Sequence, residues 1–137
     1  MAVGVALILL SLSLLHFVWG LRGEASQLEA TVPHANGKPL FVPSRSSCLV
    51  VAAGLLAAAW LVAGRGGVVG SPLPPPWGHY GCLAVGGVFV LRGVGDFRLV
   101  GLFKRASDST FARWDTRLYT PLCFAIGLGA LRVALAS

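Results

Sequence analysis

The chain has 137 residues, of which 55% are hydrophobic and only 12% are charged. A soluble domain has roughly 45–50% apolar and about 25% charged residues, so this composition excludes an ordinary water-soluble domain and predicts an integral membrane protein. The formal net charge is +6, but the basic residues gather between the apolar runs, which is typical of membrane topology and argues against a nucleic-acid partner.

The first apolar run, residues 2–20, is long enough to cross a bilayer. A cleaved signal peptide is the alternative, but no Lys or Arg precedes the run and no small-residue cleavage site follows it, so we expect a retained span. The connection 21–47 is polar and contains several prolines and an Asn-Gly pair, and it is predicted to be loop.

The second predicted span, 48–63, is short for a hydrocarbon core of ~30 Å and is expected to stand nearly upright. A linker rich in glycine and proline, 64–77, separates it from the third helix. That helix is predicted over residues 80–103, which is long enough to tilt and to carry its end into the headgroups.

A second polar connection, 104–118, leads to the fourth predicted span, 119–136. Thr120 followed by Pro121 is typical of a helix start, with the hydroxyl as N-cap and proline at the first helical position. We therefore expect a single integral membrane domain, 1–137, that is all-α and forms a four-transmembrane-helix antiparallel bundle.

The distribution of Lys and Arg predicts the orientation of this bundle. Connections 21–47 and 104–118 hold seven basic residues, whereas 64–77 holds one. The positive-inside rule then makes the two basic connections cytoplasmic and both termini external, in a multi-pass protein of the plasma membrane.

Ionisable residues inside an apolar segment mark the candidate site. Arg92 and Asp96 are four residues apart, so a continuous helix would stack them on one face as an ion pair. Arg98 would face elsewhere and either reach the headgroups or meet Asp115. The predicted topology puts His16 at a depth similar to that of Asp96.

The predicted binding residues are His16, Trp19, Arg92, Asp96 and Arg98. Such a cluster suits a non-enzymatic membrane component that binds a lipid or small amphiphile, or that supports a partner. The simplest alternative is a purely structural role, in which Arg92 and Asp96 neutralise each other. A membrane-embedded enzyme or a proton-coupled carrier that uses His16 and Asp96 is the other.

No nucleophile accompanies the cluster, so no catalytic residue is assigned and no cofactor is expected. Cys48, Cys82 and Cys123 have no metal-ligand spacing, and no metal site is predicted. We interpret the three cysteines as small apolar residues, with a redox pair between two helices as the alternative.

The second half of the chain resembles domain of unknown function family 3995, a group of small bacterial membrane proteins. The run Gly95 to Cys123, GDFRLVGLFKRASDSTFARWDTRLYTPLC, follows the family pattern. The first half is similar through HFVWGLRG, which keeps the family's His16 and Trp19, but EASQLE at 24–29 departs from it. The resemblance implies the membrane fold and brings no activity or cofactor with it.

Overall fold

The computed structural model describes residues 1–23, 32–105 and 108–136. The segment 24–29, which differs from the family pattern, lies outside the described residues. The fold is mostly helical. Its elements are α1 (Ala2–Arg22), β1 (His34–Ala35), β2 (Lys38–Pro39), α2 (Arg45–Arg65), α3 (Pro75–Val94), α4 (Thr110–Trp114), a π-helical turn (Asp115–Tyr119) and α5 (Thr120–Leu135).

Local sequence signals explain most of the helix ends. Gly23 ends α1 in the left-handed conformation, with φ 72°, and its N–H donates to the carbonyl of Trp19. The Ser44 hydroxyl accepts from the N–H of Ser47 and so caps α2. Pro75 opens α3, where the missing N–H of proline costs no intrahelical hydrogen bond.

The long helices pack side by side as antiparallel neighbours. α1 lies against α2 and α5, and α3 lies against α2 and α5, so α1 and α3 occupy opposite corners of the bundle. Each long helix contributes a fully buried residue to the common core: Leu9, Val62, Cys82 and Ile126.

The contact between α3 and α5 is close at the backbone level. A methyl group on Gly86 would lie 3.0 Å from the carbonyl oxygen of Gly127, and one on Gly127 would lie 3.1 Å from that of Gly86. At one end of the bundle, Arg65 donates to the carbonyls of Ala134 and Ala136 and thereby closes the last turn of α5. Small residues thus let the helices approach, and a cation completes the helix end.

Three helices are long and apolar enough to cross a membrane: Ala2–Arg22, Arg45–Arg65 and the continuous helix Thr110–Leu135. Helix α3 is not among them, because prolines, His79 and Arg92 lower its mean hydropathy. The described residues therefore establish three membrane-capable helices, and the prediction of four spans is supported only in that coarser form.

The predicted bounds of two helices are wrong. The third helix begins at Pro75 and ends at Val94, whereas it was expected over 80–103. The fourth helix begins at Thr110, where Ser109 is the N-cap, and not at 119. Thr120 lies inside that helix, and its N–H donates to the carbonyl of Asp115 five residues earlier.

The π-helical turn explains how Pro121 is accommodated. Proline lacks an N–H and its ring crowds the carbonyl four residues before it. A turn widened to hydrogen bonds between residues five apart leaves room at this point. The Thr-Pro pair therefore marks a widened turn and not a helix start.

Candidate functional site

The carboxylate of Asp115 is the centre of the charged site. It is fully buried at the start of the π-helical turn. Its Oδ1 accepts from Nη2 of Arg92 at 2.8 Å, and its Oδ2 lies 3.0 Å from Nζ of Lys104. Oδ2 also accepts from the N–H of Gly101 at 2.8 Å and from the Thr120 hydroxyl at 3.4 Å. One carboxylate thus links α3, the segment after it and the last long helix.

Two paired cations and hydrogen bonds to both oxygens make the burial of the Asp115 carboxylate possible. The side chain of Lys104 is only 6% exposed, and its ammonium also donates to the carbonyl of Gly101 and to the hydroxyl of Thr116. Arg92 is less well satisfied, because its Nη1 is buried and has no hydrogen-bond partner among the described residues. Two cations share one carboxylate, so the cluster carries an excess positive charge.

Asp96 does not pair with Arg92. The prediction of an ion pair on one helical face is wrong because α3 ends at Val94, two residues before Asp96. The Oδ1 of Asp96 instead accepts from the backbone N–H groups of Arg98, Leu99 and Val100, at 2.8 to 3.1 Å. These bonds favour the ionised carboxylate and lower the pKa of Asp96.

Glycines explain why the helix stops there. Gly95 and Gly101 have φ of 85° and 87°, a region that favours glycine. The chain turns back on itself between Gly95 and Gly101, so the two backbones lie close together. A side chain on either glycine would therefore collide with backbone atoms of the opposite side of the turn. The N–H of Leu102 then donates to the carbonyl of Gly93 at 2.8 Å and closes the turn.

His16 and Trp19 form a separate pair on α1. Nδ1 of His16 lies 2.8 Å from the carbonyl oxygen of Leu12, and its ring centroid lies 5.1 Å from that of Trp19 in an edge arrangement. No described hydrogen bond or ring contact joins this pair to Arg92 or Asp96, since α1 and α3 occupy opposite corners of the bundle. The five predicted residues therefore do not form one pocket.

Arg98 lines a cleft of about 1080 Å³ between the hairpin and the segments on both sides of residues 106–107. The lining residues are His34, Ala35, Asn36, Gly37, Phe97, Arg98, Leu99, Arg105, Asp108, Ser109 and Thr110. Two arginines against one aspartate make this wall basic, and Phe97 and Leu99 supply apolar surface. The cleft brings parts of the two predicted basic connections to the same end of the bundle.

Sequence reasoning missed the central role of Asp115. It considered Asp115 only as a partner of Arg98, whereas Arg92 and Lys104 are its ion-pair partners. The available signal was an acidic residue between the apolar and aromatic residues Trp114 and Leu118, five positions before a Thr-Pro pair. Such a carboxylate has to be buried with a cation or exposed at the membrane surface.

The described residues contain no group of three His, Cys, Asp or Glu side chains that would hold a metal ion. Fold and site together define a mostly helical protein with three membrane-capable helices and a buried charged cluster near one end. A family model described as Protein of unknown function (DUF3995) matches residues 9–130, and the chain belongs to that family. No curated protein and no solved structure matches the chain.

Proposed function

We propose that this chain is a four-crossing integral membrane protein that binds the anionic headgroup of a lipid or small amphiphile in the cleft lined by Arg98 and Arg105. The cleft itself carries this proposal, because it combines two guanidinium groups with apolar surface from Phe97 and Leu99. Guanidinium groups bind phosphate and carboxylate groups in a bidentate manner, and the apolar surface suits an attached chain. The activity is binding without catalysis.

The fourth crossing is α3. Its 20 residues would span ~30 Å at 1.5 Å per residue, which equals the hydrocarbon thickness. Its packing against α2 and α5 supports this topology, as does the pairing of Arg92 with Asp115 inside the protein. A helix with modest hydropathy can cross when its polar groups face other helices.

The basic end is proposed to be cytoplasmic, in the plasma membrane. Nine of the eleven Lys and Arg residues lie at the end that carries the hairpin and the cleft, and only Arg65 and Arg132 lie at the other. The positive-inside rule supports this orientation.

Native mass spectrometry of the purified protein tests the binding proposal. The double variant Arg98→Gln/Arg105→Gln removes both cleft guanidiniums, and Arg113→Gln/Arg117→Gln removes two exposed arginines at the same end that do not line the cleft. We expect anionic lipid to remain bound to the wild type and to the control variant and to be lost from the cleft variant. Equal retention by both variants would contradict the proposal.

The enzyme or carrier alternative gains no geometric support. It needs His16 and Asp96 in one site, but His16 interacts within α1 and Asp96 holds three backbone N–H groups of its own turn. We therefore do not advance it.

A further inference from the structure

Two segments outside the membrane-capable helices expose large apolar side chains at the basic end. The first follows the hairpin, where Leu40, Phe41 and Val42 are between 51% and 68% exposed. The second follows α3, where Phe97, Leu102 and Phe103 are 57% to 59% exposed, and the rings of Phe97 and Phe103 stack with centroids 5.9 Å apart. Several exposed apolar residues together mark an interaction surface.

Basic side chains flank both segments. Lys38 and Arg45 stand on either side of the first, and Arg98 and Arg105 stand beside the second. The hairpin and the turn after α3 line one cleft, so the two segments belong to the same end of the bundle. Apolar residues that alternate with cations are typical of protein surfaces that lie in the headgroup layer of an anionic membrane.

We infer that these two segments form a membrane-contact surface that inserts into the anionic headgroup region of the adjacent leaflet. The aromatic and aliphatic side chains reach the acyl boundary, and the flanking cations contact lipid phosphates. The inference rests on the membrane topology proposed above, but it does not require a ligand in the cleft.

Charge complementarity selects the leaflet as the occupant of this surface. Among the described residues, the hairpin end carries nine basic and three acidic side chains, an excess of six positive charges. A lipid leaflet is always adjacent to a protein that spans the bilayer, and the anionic cytoplasmic leaflet complements this charge. A soluble protein partner that covered this surface instead would leave the apolar side chains outside the lipid, and the experiment detects that outcome.

Spin labels measure the depth of each segment. In a variant with Cys48, Cys82 and Cys123 replaced by alanine, a single cysteine label is placed at Phe41 or at Phe103. Reference labels are placed at Val50, which is exposed on α2 within a membrane-capable helix, and at Asp108, which is exposed outside one. The protein is studied in nanodiscs of phosphatidylcholine alone and of phosphatidylcholine with phosphatidylglycerol.

We expect the ratio of oxygen to nickel-complex accessibility at Phe41 and Phe103 to shift from the Asp108 value towards the Val50 value when phosphatidylglycerol is present. Accessibility ratios at Phe41 and Phe103 that equal the Asp108 ratio in both kinds of nanodisc would overturn the inference. Equal insertion with and without phosphatidylglycerol would overturn its electrostatic basis. Labels at Val42 and Leu102 repeat the measurement should the first pair perturb folding.

The lipid-retention experiment remains separate from this one. Loss of insertion while the wild type still retains anionic lipid would overturn the surface and leave the cleft proposal intact. Insertion without retained lipid would overturn the cleft proposal and support the surface.

Discussion

The guanidinium of Arg92 and the carboxylate of Asp115 form an ion pair at 2.8 Å. The two residues are 23 positions apart in the sequence, and their contact joins α3 to the last long helix. The carboxylate is fully buried, and the same group holds Lys104 and the N–H of Gly101. Because one side chain connects three segments, its removal affects α3, the turn after it and the last long helix together.

Asp115→Asn is expected to lower the free energy of unfolding by ~3–5 kcal/mol, because it leaves the buried Lys104 and the partly buried Arg92 without a counter-charge. Unfolding in mixed detergent micelles measures the change. Asp96→Asn is the control, since its side chain is exposed and its amide oxygen still accepts hydrogen bonds. Adding Lys104→Met to Asp115→Asn should restore part of the loss. Equal effects of the two single variants would contradict this account.

Gly95→Ala and Gly101→Ala are each expected to abolish the folded turn after α3 and to reduce accumulation of the protein in the membrane. Both positions have positive φ, and a methyl group on either would overlap backbone atoms. Gly87→Ala is the matched control, because it lies in α3 with nothing within 4 Å of the added atom. Immunoblots of membrane fractions compare the three, and normal levels of Gly95→Ala would contradict the expectation.

The turn at Asp96 is expected to be stable at neutral pH and to open in acid. Its three backbone hydrogen bonds lower the pKa of Asp96 relative to the unfolded chain, so the carboxylate stabilises the turn above the ordinary Asp pKa of about 3.9. That stabilisation is lost as the pH falls through the lowered pKa. NMR shifts of the Leu99 and Val100 amides report the transition, and Asp96→Asn should remove it. A transition above the ordinary pKa would contradict the sign.

Cysteine accessibility tests the fourth crossing. Single cysteines at Val69, in the linker between α2 and α3, and at Leu102, after α3, are placed in a cysteine-free chain. A membrane-impermeant maleimide added to intact cells should label the cysteine at position 69 and should reach the cysteine at position 102 only after the cells are permeabilised. Labelling of both from the same side would show that α3 does not cross.

Ser44→Ala and Ser109→Ala are each expected to cost about 1 kcal/mol of stability, because each removes an N-cap oxygen that accepts a helix N–H at 3.0 to 3.1 Å. Ser46→Ala is the control for α2, since Ser46 lies inside the first turn and, among the described residues, its hydroxyl bonds to that of Ser44 and to no backbone N–H. Equilibrium unfolding in micelles measures all three. A larger loss from Ser46→Ala than from Ser44→Ala would refute the capping role.

The sequence predicted α1 and α2 well, because long apolar runs with clear ends require little tertiary information. It predicted α3 badly at its end, since counting apolar residues through 80–103 ignored Gly95, which stops the helix, and Asp96, which caps the turn beyond it. The predicted start of the last helix is too late, because Thr120-Pro121 is typical of a helix start. The widened turn before this pair instead admits proline within a helix.

The candidate site was less predictable than the fold. A spacing of four residues is informative only if both residues belong to one helix, and Arg92 and Asp96 do not. The contact of Arg92 with Asp115 depends on how α3 packs against the last long helix, which is a non-local property. Arg98 does line a cleft, but that cleft is formed by turns whose geometry no periodicity describes.

The close approach of Gly86 and Gly127 bears on how the protein enters the membrane during synthesis. Helix α3 is the one long helix of the described residues that is not membrane-capable by its hydropathy, and its tightest backbone neighbour, α5, is made after it. Under the four-crossing topology, α3 gains its partner only once the ribosome has finished the C-terminal segment. We therefore expect the packing of α3 to be completed only at the end of translation, and a chain truncated before Thr110 to hold α3 through α2 alone.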